Sequence, residues 1–312
     1  MAVNVEFYKS VIAGCFPELA LKTLKFIGGS KCRVFIANGD TYFRFSHSDQ
    51  ALEELPREKE IYELVAGRLT VSVPRFTLYS AGCAEFPYPV AGYSQVQGVP
   101  LGDRPLTSKA ARQIGAFLKS LHAIPPPPKW KSQPIPSPRE RSRKFLQRVA
   151  PISRVLSPGQ WSWFTGQFDQ FASDPLSQVR PTPVLVHGDI DIQNILIDTK
   201  TEDLSGIIDF ELSHVGDPVV DFTALRGETG SERTGEAVAA YGGPPDAGFE
   251  MRLKFWSSVY AAHELSYGIE QNAEVHIVNG QKRLARAMAG EDIIGGWGLV
   301  ATSGTASWRG IE

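Results

Sequence analysis

Three side chains set the chemical question in this 312-residue chain: Asp189, Asn194 and Asp209. They lie in VLVHGDIDIQNILIDTKTEDLSGIIDFELSHVGDPVVDFTAL, residues 184–225. Phosphoryl transfer from a nucleoside triphosphate asks mainly for positioning and charge neutralisation. A carboxylate must orient the incoming hydroxyl and take its proton, and Asp189 is the candidate. Magnesium takes oxygen ligands in near-octahedral geometry, with one or two from protein. Asn194 and Asp209 offer an amide oxygen and a carboxylate, each at the edge of a short apolar strand. His187, two residues before Asp189, is expected to brace the loop rather than do chemistry. A lone His-Gly-Asp triplet would say little. Followed by Asn five positions after Asp189, then by Asp 15 further on inside an apolar run, it is a specific signal. Asp217 and Asp221 read either as part of the same site or as turn residues and helix caps.

The elements that must position these groups are legible in outline. Leu24–Ile27 leads into Gly28-Gly29-Ser30, the one candidate for a glycine-rich phosphate contact. Cys32–Ala37 and Thr41–Phe45 read as strands around Asn38-Gly39-Asp40, since Asn-Gly between alternating apolar runs is a strong hairpin signal. Pro56–Leu69 reads as an acidic helix with proline in its first turn. Val73–Tyr79 and Tyr88–Val96 complete the strands. Ser108–Ala123 is amphipathic. Residues 124–138 hold seven prolines and read as an extended surface connection. Helices are expected over Glu140–Leu156 and Ser157–Phe171, and strands over 184–186, 195–197 and 206–208. The remainder reads as helix to Ala289, with Phe255, Trp256, Val259, Tyr260, His263 and Tyr267 on one side of Met251–Tyr267. Residues 290–312 are rich in Gly, Ser and Thr and read as poorly ordered. The implied organisation is a nucleotide-binding lobe over 1–95, a catalytic and substrate lobe over 96–289, and a tail.

Bulk properties narrow the partners. Hydrophobic residues make up 42% and charged residues 21%, with net charge −2. That gives no electrostatic case for nucleic acid or an anionic membrane. No apolar run reaches 18 residues, and the first residues do not read as a signal peptide. Cys15, Cys32 and Cys83 show no metal or redox spacing and read as reduced thiols. A monomeric cytoplasmic protein is expected.

With these residues in view, the chain resembles the aminoglycoside phosphotransferase family from about Leu24 to Arg286. HGDIDIQNILID is similar to its catalytic loop, GIIDFELSHVGDPVVDF to its metal-binding strand and the Gly-Asp-Pro signature that follows. TYFRFS with Pro56-Arg57-Glu58 is similar to its nucleotide-lobe strand and helix, and YPVAGYSQVQGVPL to its linker. The wording is closest to the branch acting on the 2''-hydroxyl of aminoglycosides. The resemblance implies an α+β, two-lobed protein-kinase-like fold: a small N-terminal antiparallel sheet plus helix, and a larger, mostly helical C-terminal lobe. It implies Asp189 as catalytic base, Asn194 and Asp209 as Mg2+ ligands, Arg44 on the nucleotide phosphates with Glu58 as its partner, and Ser94, Gln95 and Val96 around the base of ATP or GTP. The residues themselves support the Arg44–Glu58 pair. Glu58 lies at helical spacing from Ile61, Tyr62 and Val65, and a carboxylate on an apolar stripe needs a partner. The chain departs from protein kinases in lacking a full GxGxxG loop and in carrying Arg44 for lysine. Glu211 replaces the glycine after Asp209-Phe210, which argues against a mobile flip there.

A polycationic acceptor asks for an acidic site. Phe210–Val275 holds eleven acids against four Lys or Arg, a local net of −7. Glu232, Glu236, Glu264 and Glu270 are candidates for amine contacts, Trp256 and Tyr267 for flat surfaces under sugar rings; the alternative is a solvated helical face over an aromatic core. The expected reaction is phosphorylation of a small molecule, most readily an aminoglycoside. Other acceptors of the same chemistry would be a macrolide, choline, homoserine or a thio-sugar. A non-catalytic nucleotide-binding module is disfavoured by the intact Asp189, Asn194 and Asp209. A protein kinase is disfavoured by the seven residues between Asp209 and Asp217, too few for an activation segment.

Overall fold

The computed structural model describes residues 3–28, 32–131 and 136–291. Ser30 and residues 292–312 of the tail lie outside them. The N-terminal part is a five-stranded antiparallel sheet of order β1-β2-β3-β5-β4, with β1 Leu24–Gly28, β2 Cys32–Ala37, β3 Thr41–Ser46, β4 Phe76–Ser80 and β5 Val90–Ser94. The β2–β3 hairpin pairs Cys32 with Ser46 through to Ala37 with Thr41. Asn38 and Gly39 make its turn with φ of 54° and 85°, values that Asn and Gly tolerate best. Alternation on β3 sends Phe43 and Phe45 to one face, where they pack with Phe35 and with Tyr8, Val11 and Ile12 of helix α1 (Val5–Cys15). Arg44 therefore points to the other face. The three cysteines are free thiols, Cys15 lying against Ser80 and Cys83.

Behind Arg44 runs α2, Ala51–Val65. It starts five residues before the expected Pro56, because its first amides bond to the carbonyls of Ser48, Asp49 and Gln50. Pro56 sits inside the helix, where its missing N–H leaves one rung unmade. The helix also stops earlier than Leu69, with Gly67 at φ 69° just beyond its end.

The C-terminal part is mostly helical. Strand β6 (Val99–Pro100) leads to α3 (Ser108–His122), α4 (Pro138–Val149) and α5 (Pro158–Ser173). Ser137 and Ser157 start α4 and α5 with full capping boxes, each followed by proline. The proline-rich connection is not wholly extended, since Pro128–Lys131 forms one 3-10 turn. Strands β7 (Val184–Val186), β8 (Ile195–Ile197), β9 (Leu204–Ile207) and β10 (His214–Gly216) follow. They form a β6-β8-β9 sheet and a β10-β7 pair. Strand β10 went unpredicted: His214-Val215-Gly216 has a single apolar side chain, unlike the all-apolar β7 and β8. Helix α6 (Val219–Tyr241) breaks at Gly230, whose φ of 84° and ψ of 176° are not helical. The expected single helix over Met251–Tyr267 is two, α7 (Phe249–Ser258) and α8 (Ala261–Glu270), before α9 (Glu274–Met288).

Two apolar cores result. The smaller lies between α1 and the sheet. The larger fills the C-terminal part and takes in Ile61, Tyr62 and Val65 of α2. Helix α2 thus carries Glu58 towards the sheet while its apolar stripe packs with the C-terminal core. It is a physical bridge between the parts.

Candidate active site

Residues 187–194 form the loop between β7 and β8, and every bend in it has a named cause. His187 is fully buried. Its Nε2 donates to the Ile208 carbonyl (3.1 Å) and its Nδ1 accepts from the Asp189 amide (3.2 Å). Burial lowers its pKa, so the ring stays neutral in this tautomer. Asp221 is fully buried and accepts from the amides of His187 (3.0 Å) and Gly188 (2.8 Å) and from His122 Nε2 (2.9 Å). Burial works against its charge, yet the His122 hydrogen bond and the surrounding donors hold its carboxyl below the usual range. Asp191 Oδ1 accepts from the amides of Gln193 (2.7 Å) and Asn194 (3.1 Å), closing the turn. Burial still pushes Asp191 up to about 6.

This loop delivers Asp189 and Asn194 together. Asn194 Nδ2 donates to both the carbonyl and the Oδ2 of Asp189, each at 3.0 Å. That fixes the amide orientation and turns Oδ1 away from Asp189. The Asn194 carbonyl accepts from Ile208 N (3.0 Å), beside the Ile195–Ile207 pair of β8 and β9. Asp209 is next in the chain, so Asn194 and Asp209 are held by one ladder. Asp209 has φ 67°, a left-handed backbone that Asp accepts better than most residues.

Across from Asp209, Arg44 Nη1 bonds both oxygens of Glu58 at 2.9 and 2.8 Å. Tyr62 donates to the same carboxylate at 2.9 Å. Arg44 Nη2 also lies 3.7 Å from Glu211. Burial raises Glu58 to about 7, outweighing Arg44. A cavity of about 300 Å³ opens beside them, lined by Cys32, Arg44, Gln50, Glu54, Glu58 and Glu211. Ser94 ends β5 opposite Thr41, and the Gln95 amide reaches the Asp40 carbonyl (3.4 Å). Val96 packs on Gly206 of β9, so the linker joins the N-terminal sheet to the strands bearing the motif.

The acceptor candidates are more scattered. Glu232 is 78% exposed and sits beside Arg233. Glu236 accepts from Ser108 Oγ (2.6 Å) and Arg233 (2.8 Å). Helix α6 folds back at Gly230, so its second half runs alongside α3: Glu236 meets Ser108 at the start of α3, and Tyr241 returns to His122 beside Asp221. Trp256 is a core residue against Phe145 and Phe255, not a surface platform. Tyr267 packs on His276, and Glu270 is exposed. Glu264 is buried against Arg283 (3.0 Å).

Sequence reasoning passed over Glu228 and left Asp217 between two readings. Glu228 is buried, 3.6 Å from Arg283 and 3.5 Å from the Tyr260 hydroxyl. Burial pushes it up to about 7, with the charges of Asp191 and Glu264 adding to this. Its spacing of seven from Asp221 on α6 was the available signal. Asp217 is sealed between Arg252 (2.8 Å) and Arg141 (3.3 Å).

This site belongs to a known class. Residues 25–251 match the phosphotransferase enzyme family (APH), and the chain belongs to that family. It is a small-molecule phosphotransferase enzyme. Among curated relatives, viomycin phosphotransferase of Streptomyces vinaceus is 26% identical over 247 residues, 76% of this chain and 84% of the relative. Among solved structures, the GDP and kanamycin complex of APH(2")-IIia superposes with TM-score 0.76 at 24% identity, covering 91% of this chain and 98% of that one. The macrolide 2'-phosphotransferase MphH from Brachybacterium faecium does so with TM-score 0.66 at 19% identity, over 89% and 97%. These likenesses place the fold as kinase-like. No helix among the described residues is long and apolar enough to cross a membrane.

Proposed function

We propose that this enzyme transfers the γ-phosphoryl group of ATP or GTP to a hydroxyl of a small cationic antibiotic, with an aminoglycoside as the first candidate acceptor. The observation that carries the reading is the Asp189–Asn194 contact. A carboxylate is held by the amide whose oxygen faces away from it, next to a second carboxylate, Asp209, on the same ladder. Asp189 orients the acceptor hydroxyl and accepts its proton as the oxygen–phosphorus bond forms. Asn194 Oδ1 and Asp209 suit Mg2+, which needs few protein oxygens when phosphates supply the rest. A site with these two protein oxygens, completed by the nucleotide, is the form that the residues fit. Bound there, magnesium would neutralise the phosphate oxygens during transfer. Arg44, held by Glu58, contacts the phosphates, and Ser94–Val96 hold the base.

The likeness to viomycin phosphotransferase supports a second acceptor reading, viomycin itself. Turnover of ATP and GTP with Mg2+ against kanamycin, gentamicin, streptomycin, viomycin, a macrolide, choline and homoserine separates these. Acceptor-dependent diphosphate release with an aminoglycoside is expected. Release with viomycin alone would replace the acceptor and keep the chemistry; silence throughout would sink the proposal. Asp189→Ala should lower kcat about 10³-fold with nucleotide binding retained. An unchanged kcat would remove Asp189 from the base role.

A further inference from the structure

The turn from Asp209 to Ser213 is fastened from both sides. On the C-terminal side, the buried Ser213 donates its hydroxyl to the His187 carbonyl (3.1 Å) and its amide to the Phe210 carbonyl (3.1 Å). The Leu212 carbonyl lies so close to Gly188 that a Cβ there would meet it at 2.5 Å, and Gly188 also has φ 86°. His214 then pairs with Val186 in β7, one residue before His187. The turn and the loop bearing Asp189 are one packed unit.

On the N-terminal side the fastener is α2. Arg57 Nη2 donates to the Ser213 carbonyl at 2.8 Å. The next residue, Glu58, holds Arg44, which also reaches Glu211 of the same turn. One step of α2 thus grips the arginine proposed for the phosphates and the turn that begins with Asp209. We infer that Arg57 is a positioning residue: by pinning α2 to the Ser213 carbonyl it sets the separation between Arg44 and Asp209. That separation decides whether one nucleotide can engage both ends. The inference rests on the proposed roles of Arg44 and Asp209. It also explains how this segment stays in place: Glu211 and Ser213 are both tethered to the opposite lobe, which leaves no free stretch to swing.

Two variants test it in the full-length enzyme. Arg57→Met keeps the aliphatic stem and removes the donors; Arg57→Lys keeps a cation that can reach a carbonyl. The dissociation constants of ADP and GDP are measured by calorimetry with Mg2+ and again with EDTA, beside the melting temperature and kcat/KM for the nucleotide. Losing a charge-assisted hydrogen bond to a buried carbonyl should cut the Mg2+-dependent gain in affinity about tenfold in Arg57→Met. Affinity in EDTA should stay within about twofold, and Arg57→Lys should recover most of the gain. The melting temperature should fall by no more than about 4 °C. A purely structural bond would lower the melting temperature and leave the Mg2+-dependent ratio untouched, and that result overturns the inference. A wild-type enzyme without any Mg2+-dependent gain would remove the functional reading beneath it, and this one too, before any variant is measured.

Discussion

Two buried arginine–carboxylate clusters in this molecule use the same side chains to opposite ends. In the C-terminal part, Arg252 bonds Asp217 (2.8 Å) and Asp246 (2.7 Å), and Arg141 adds a second cation at 3.3 Å from Asp217. Two cations meet two anions, and Arg252 and Asp217 are wholly inaccessible. Beside the cavity, one cation, Arg44, faces Glu58 and Glu211, with Asp209 near enough to raise Glu58 further. In the first cluster burial opposes ionisation, yet Arg252 holds Asp246 below the usual carboxylate range. In the second, burial outweighs Arg44 and lifts Glu58 to about 7. A charge-balanced, sealed cluster is scaffold. An acid-rich one beside a cavity has room for something else: under the proposed function a phosphate on its arginine, and in its absence protons on its acids.

Removing each arginine in turn would break this contrast or sharpen it. Arg44→Met should lower kcat/KM for the nucleotide about 10²–10³-fold, the range for losing a preorganised charge on the reacting group. Its stability cost should be modest, because Glu58 can take up a proton once its partner is gone. Arg252→Met should do the reverse. It strands Asp217 and Asp246 against Arg141 alone and should cost about 3–5 kcal/mol in denaturant unfolding. Activity measured well below its melting temperature should persist. Equal stability losses in the two variants would dissolve the distinction.

A smaller effect tests the protonation of Glu58. Its folded pKa, about 7, lies above the ordinary value of 4.5. Such a group stabilises the fold fully below pH 4.5, and that contribution is lost as pH rises through 7. Glu58→Gln lacks the titration, so its stability relative to the parent should be flat at low pH and improve towards pH 8. The change should be about 3 kcal/mol at most. A difference independent of pH from 4 to 8 would show that Arg44 keeps Glu58 ionised throughout.

What could be read in the residues follows from how local each constraint is. The Asn38-Gly39 turn, the strands around Asp189 and Asp209, and the meeting of Arg44 with Glu58 all depend on short-range alternation or helical spacing, so they were legible. The difference between Asp217 and Asp221 was not. Both are buried anchors, one for a helix pair and one for the loop bearing Asp189, and only their distant partners Arg252 and His122 reveal it. The acceptor candidates were chosen by charge along helices. Charge does not say which face is covered: Glu264 is sealed against Arg283 while Glu232 is in solvent. The break between α7 and α8 carries no glycine or proline and left no trace in the pattern. Arg57 had no reading of its own in the sequence, because its partner Ser213 lies 156 residues away.

The left-handed backbone at Asp209 also bears on how this enzyme can vary. Glycine, asparagine and aspartate enter that conformation at low cost, and other residues add about 1–2 kcal/mol. Of those three only aspartate carries a charge. Shape narrows the alphabet at position 209 to three letters, and the charge required by the proposed magnesium site narrows it to one. Laboratory evolution of a new donor or acceptor should leave this position alone and draw its diversity from residues with ordinary backbones outside the Asp189 loop.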